Sequence, residues 1–195
     1  MLSLLLGIIA FALYFLYDIN SFKWQNRLLR TGFLAGTLLI AVATGLDLYA
    51  AWRGNAFSGP ADWLLLALAI LWLAALIYCL FFALPFDETY AKQTTGNRVY
   101  DGGVYALCRH PGIPCFFFLY LALGLAALPG ALLRNGMVFS ALDLAYAWFQ
   151  DRITFPKTFC DYEAYQKKVP FLIPTRASIR TARKTFRTNH QEDIL

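Results

Sequence analysis

The amino-acid sequence predicts an all-α, polytopic membrane helix bundle. Three observations carry that expectation. Hydrophobic residues occupy 59% of the 195 positions, more than an ordinary soluble domain holds. Charged residues reach only 15%, and they bunch between apolar runs instead of spreading along the chain. Tryptophans and tyrosines recur near the ends of those runs, as in the aromatic belts of membrane interfaces.

Five apolar stretches are candidate transmembrane helices: Leu2 to Tyr17, Thr31 to Trp52, Ala61 to Leu84, Gly112 to Leu128 and Ala131 to Phe149. Pro85 closes the third, and a Pro129-Gly130 turn makes the last two a tight hairpin. At roughly 25 Å of helix each, the first and fourth are short and call for local thinning or little tilt. The first has no basic leader and no small-residue cleavage site, and Asp18 follows it directly, so it reads as a retained anchor. Residues 1–175 form one integral membrane domain on this reading, with 100–175 carrying the motifs.

Charge placement orients the bundle. With five spans, Lys23, Arg27, Arg30, Lys92, Arg98, Arg109 and every cation from Arg152 onward share one face. Only Arg53 and Arg134 fall on the other. An excess of Lys and Arg marks the cytoplasmic side, which gives an outside N-terminus and a cytoplasmic C-terminus. An even number of spans would split these charges across both faces.

That orientation absorbs most of the net charge of +5, so nucleic acid is not an expected partner. Residues 176–195 are a basic cytoplasmic tail, in which Arg176, Arg180, Arg183, Lys184 and Arg187 share one helical face. The tail is either a surface helix on anionic headgroups, at ~1 kcal/mol per cation, or a solvated, frayed tail; Thr188 to Leu195 is expected to be disordered. Cys79, Cys108, Cys115 and Cys160 form no CxxC pair, and His190 stands apart in the tail, so no metal site is expected. Asp47 and Asp143, within the second and fifth stretches, read as packed polar residues.

Two polar segments carry the side chains suited to chemistry: Phe86 to Pro111 and Gln150 to Pro174. In the first, Asp101-Gly102-Gly103 permits a tight turn, Val104 to Cys108 a short helical approach, and Pro111 the first turn of the fourth span. Arg109 and His110 are then expected at a helix N-terminus, where free backbone N–H groups and the dipole favour anions. In the second, Asp151 and Arg152 follow the fifth span, and Tyr162 and Tyr165 lie three apart on one helix face. The hairpin returns the chain to the face it left, so the two segments are expected to meet. Against this stand plainer readings: Arg109 and His110 as interfacial side chains, Asp151 as the partner of Arg152, and the tyrosines as belt aromatics.

The pattern Gly103-x-Tyr105-x3-Arg109-His110-Pro111, a helical hairpin, then Tyr162-x2-Tyr165-x3-Val169-Pro170-x2-Ile173-Pro174 resembles the membrane methyltransferases related to isoprenylcysteine carboxyl methyltransferase and the phospholipid methyltransferases. The resemblance covers Tyr100 to Thr175. It implies S-adenosylmethionine as cofactor and a lipophilic substrate entering from the bilayer. It assigns Gly103, Tyr105, Arg109, His110, Pro111 and Asp151 to cofactor binding, Arg109 and His110 to the chemistry, and Tyr162 and Tyr165 to the substrate. The chain departs from the family pattern at Ile113, where a tyrosine is usual. It departs again at Asp151-Arg152 in place of paired glutamates, and at Phe159-Cys160 in place of Phe-Gly.

Three functions therefore stand side by side. One is methyl transfer to a lipophilic substrate. Another is an NADPH-dependent membrane reductase, because steroid reductases resemble this family in their last spans. The third is a non-catalytic protein that keeps the fold.

Overall fold

The structure, a computed structural model, describes residues 1–83 and 98–192, from Arg187 onward by backbone alone. Asp87-Glu88, Lys92 and Thr94-Thr95-Gly96-Asn97 lie outside the described residues. The described chain is all-helical, with no strand. Its long helices are α1 (Leu2–Phe22), α2 (Gly32–Arg53), α3 (Pro60–Ile77), α4 (Gly112–Ala126) and α5 (Ala131–Phe149). Shorter elements follow: α6 (Phe155–Thr158), α7 (Tyr162–Lys168) and the terminal α8 (Arg176–Glu192). Wider π-type turns extend α3 over Tyr78–Phe82 and α5 over Gln150–Thr154, and a 3-10 turn spans Gly103–Ala106.

Three of these helices are long and apolar enough to cross a membrane: Leu2–Phe22, Leu29–Arg53 and Pro60–Phe82. Their outer faces are unlike those of a soluble protein. Leu64, Ile70, Leu71, Phe81 and Phe82 are all exposed in a row of turns that buries Ala69 and Cys79. So large an uninterrupted apolar surface fits hydrocarbon as solvent. Trp24, Trp52, Trp63 and Trp148 sit exposed at the ends of apolar helices.

Two compact units form: Met1–Leu73 with Cys115–Thr154, and Ala74–Pro114 with Phe155–Leu195. In the first, α1 packs along α2 and α5 around Phe11, Ala43, Tyr120, Phe139 and Tyr146. Small residues admit the close approaches. A Cβ on Gly7 would fall inside the Phe139 ring, and one on Gly124 would lie 2.6 Å from Leu133 Cα. Buried polar groups pair across helices: Asn135 Nδ2 donates to Asp47 Oδ2 at 2.7 Å and to Ser3 Oγ at 3.1 Å. Asp47 thus stands as a packed polar residue, as its sequence position suggested.

The helix boundaries lie near those of the apolar stretches, with two differences: α4 ends at Ala126, short of Leu128 and below the length of a span, and α1 is longer than expected. α1 continues past Tyr17 to Phe22 and reaches about 31 Å, long enough to cross hydrocarbon without thinning. Asp18 does not stop it, because its side chain is buried in the first unit. Asn20 then ends the helix by folding the chain back: its side chain donates to the Asn26 carbonyl at 2.9 Å and accepts the Asn26 N–H at 2.7 Å.

Candidate functional site

The second unit assembles the two motif segments around one backbone contact. Arg109 N–H donates to the Pro170 carbonyl at 2.9 Å, and His110 N–H to the Phe171 carbonyl at 3.3 Å. Proline has no N–H, so at this crossing Pro170 serves as acceptor only. The expectation of free anion-binding amides at Arg109 and His110 is corrected here. Both donors are taken by the returning chain before α4 begins at Gly112.

Side chains lock the same crossing. Arg109 Nη1 reaches the Gln166 carbonyl at 3.1 Å and the Val169 carbonyl at 2.5 Å. These are carbonyls at the C-terminal end of α7, which attract a cation through both hydrogen bonding and the helix dipole. The guanidinium also lies 5.7 Å from the centre of the Phe171 ring. Tyr165 Oη donates to the Tyr105 carbonyl at 2.7 Å, and Tyr105 Oη donates to the Cys79 carbonyl at 2.8 Å. Burial, reinforced by Tyr105 nearby, holds the Tyr165 phenol above the ordinary tyrosine range, so it remains a neutral donor at physiological pH.

His110 is buried and sits in an aromatic cage. Phe155 stacks parallel to it at 5.8 Å between centroids, and Phe171 meets it edge-on at 4.9 Å. Tyr162, Tyr165 and Val169 continue that apolar wall, with Phe155, Phe159 and Val99 packed against them. Gly103 adopts φ +56, a left-handed conformation that glycine takes without steric cost, which agrees with the turn expected there. Pro111 is buried immediately before α4.

Gly103, Tyr105, Arg109, His110, Pro111, Tyr162 and Tyr165 thus belong to one compact unit. Asp151 belongs to the other, where it is 2% exposed within the π-type turn after α5. Several residues of the second unit escaped the sequence reading. Asp161 Oδ1 accepts the Val99 N–H at 2.9 Å and so ties down the start of the motif segment. Phe155 forms part of the cage, and its helical spacing to Phe159 and Tyr162 is the signal that marks a shared face. Thr185 Oγ1 accepts the Gly103 N–H at 3.1 Å while donating to the Ala182 carbonyl, which brings the terminal helix onto the Gly103–Ala106 turn. Nothing in a basic tail announces such a contact.

The unit gathers the Arg109 guanidinium, the His110 ring, the Tyr105, Tyr162 and Tyr165 side chains and an apolar aromatic wall. That donor set is compatible with a zwitterionic, aromatic cofactor. Among the described residues no group of three His, Cys, Asp or Glu side chains is placed to hold a metal ion. No protein-family description matches the chain, and neither curated proteins nor solved structures give a match.

Proposed function

We propose that this chain is an S-adenosylmethionine-dependent methyltransferase of the isoprenylcysteine carboxyl methyltransferase and phospholipid methyltransferase type. On this reading it crosses the membrane five times, with an outside N-terminus and a cytoplasmic C-terminus, and acts on a lipophilic substrate at the cytoplasmic face. The supporting observation is the joining of Gly103–Pro111 to Tyr162–Phe171. Those are the two stretches whose order and spacing resemble the family, and they build one unit.

Bound S-adenosylmethionine would supply a methyl group already activated on a sulfonium. The protein's part is therefore alignment and exclusion of water. Arg109 carries the planar charge that would pair with a carboxylate, of the cofactor or of the substrate. The His110 ring, walled by Phe155 and Phe171, can take a proton from a protonated amine nucleophile, whereas a carboxylate or thiolate nucleophile asks for no base. Tyr162 and Tyr165 present the wall against which an apolar chain lies. Asp151 enters this reading only through the resemblance.

One observation favours a second reading. Arg109 Nη1 is committed to Gln166 and Val169, which is what a purely structural bracket requires. That suits a non-catalytic member of the fold. Titration of the purified chain with S-adenosylmethionine and, separately, with NADPH distinguishes the possibilities. Saturable binding of S-adenosylmethionine is expected. Binding of NADPH alone moves the function to a membrane reductase, and binding of neither leaves the bracket reading. Labelled methyl donor incubated with total membrane extract then identifies the substrate by the lipid that takes up label.

A further inference from the structure

The terminal helix α8 has two faces with different employment. Thr175 and Ser178 cap its N-terminus reciprocally: Thr175 N–H donates to Ser178 Oγ at 2.9 Å, and Ser178 N–H to Thr175 Oγ1 at 3.2 Å. Ser178 and Ala182 are buried, and with Thr185 they form a stripe of small residues packed on the Gly103–Ala106 turn. At helical spacing, Arg176, Arg180, Arg183 and Lys184 project from the opposite face, and all four are exposed. With Ile179 they line a shallow groove. No acidic residue occurs from Arg176 to Gln191, so the face carries one sign of charge. Ile179 and Phe186, both partly exposed, border it along one edge.

The same unit contains the end of an apolar span. Tyr105, two residues beyond Gly103, donates to the Cys79 carbonyl in the π-type turn that ends α3. There Tyr78, Leu80, Phe81 and Phe82 are exposed. The turn that carries α8 is therefore hydrogen-bonded directly to a helix end whose side chains belong in hydrocarbon. A basic, apolar-edged helix tethered at that level meets the headgroup region, where the compatible chemistry is anionic lipid.

We infer that α8 rests its basic face on the anionic lipid surface beside the span end, and that this contact holds the helix across the Gly103–Ala106 turn. The free-tail alternative fails on the buried stripe, the capping box and the Thr185 contact. The inference stands independently of the proposed methyl transfer.

The full chain, reconstituted in nanodiscs, tests it. A fluorophore goes on Ala177→Cys in a Cys160→Ser background, because Cys79, Cys108 and Cys115 are buried. Headgroup-linked quencher is present either in phosphatidylcholine alone or with about one-third phosphatidylserine. Quenching is expected to rise with phosphatidylserine and to fall with salt. Arg176→Gln, Arg180→Gln and Arg183→Gln together should remove the rise, since three surface cations are worth on the order of 100-fold in the contact equilibrium. Equal quenching in both lipids overturns the inference, as does a rise that survives the triple substitution. Loss of the rise on adding inorganic phosphate at constant ionic strength overturns it in favour of a discrete phosphate site. Tight binding of an oligonucleotide in phosphatidylcholine discs, with no response to phosphatidylserine, overturns it in favour of nucleic acid.

Discussion

Arg109→Ala removes the single nitrogen that reaches both the Gln166 and the Val169 carbonyls. A hydrogen bond from a charged donor contributes about 1.5–3 kcal/mol, and a cation over an aromatic ring about 0.5–1 kcal/mol when solvent still reaches it. The Arg109 side chain is only half-buried, so water compensates part of the loss. The net cost is about 2–4 kcal/mol. At one decade per 1.4 kcal/mol, opening of the crossing between 103–111 and 162–171 becomes about 30- to 1,000-fold more frequent. Hydrogen exchange of the full chain in detergent reads this at the amides of Arg109, His110 and Val169, which donate to Pro170, Phe171 and Tyr165. The helices of the first unit should keep their protection. Native protection at those three amides in Arg109→Ala would refute the bracket.

Arg109→Lys separates the fold from the chemistry. Both carbonyl bonds leave from one nitrogen, so a lysine ammonium can stand in for them. It cannot reproduce the remaining arm of the guanidinium fork. Exchange protection is expected to stay within about tenfold of native, while affinity for S-adenosylmethionine falls by at least about tenfold. A lysine variant that exchanges as fast as the alanine variant would mean that the fork, and not a single nitrogen, holds the crossing.

Asn135→Leu leaves the buried Asp47 and Ser3 without their shared donor and should destabilise the first unit by about 2–3 kcal/mol in thermal unfolding. Asn135→Leu with Asp47→Leu should cost less than the sum of the single changes, and additive costs would dissolve the network. Gly124→Ala places a Cβ 2.6 Å from the Leu133 backbone and should cost about 1–3 kcal/mol by the same assay. Gly45→Ala, with nothing within 4 Å, should be neutral or stabilising.

How legible was all this in the sequence? The starts and stops of α2 and α5 lie within a residue of the apolar runs Thr31 to Trp52 and Ala131 to Phe149, the second opened by Pro129-Gly130, residues that turn easily. The last turn of α1 could not be placed. A charge at Asp18 reads as a stop when seen locally, and it is burial of that side chain within the first unit that lets the helix run through it. The meeting of Arg109 with the Tyr162–Pro170 segment followed from topology, since a hairpin of two helices returns to the face it left. The use of the Arg109 and His110 amides did not follow, because it depends on the register between residues far apart in the chain. The Thr185 contact was equally hidden: seen by composition alone, a lone threonine among cations looks like solvent-facing filler.

The departures from the family pattern can now be located. Ile113 N–H donates to the His110 carbonyl at 3.2 Å, a local turn at the start of α4. Cys160 is exposed between α6 and α7. Neither supplies any of the bonds that join Arg109 and Tyr105 to Gln166, Val169, Pro170 and Tyr165. The bonds that join the two stretches are therefore independent of Ile113 and Cys160, while Asp151, the third departure, is buried in the other unit. A site whose backbone is held by long-range bonds before any ligand arrives binds with less ordering cost than a loop that must close on it. The bracket that a non-catalytic member of the fold requires thus serves a catalytic reading as well. What chooses is whether Arg109 engages a ligand as well as the Gln166 and Val169 carbonyls. The lysine variant removes the planar fork while keeping a cation at the crossing, so its cofactor affinity carries the decision.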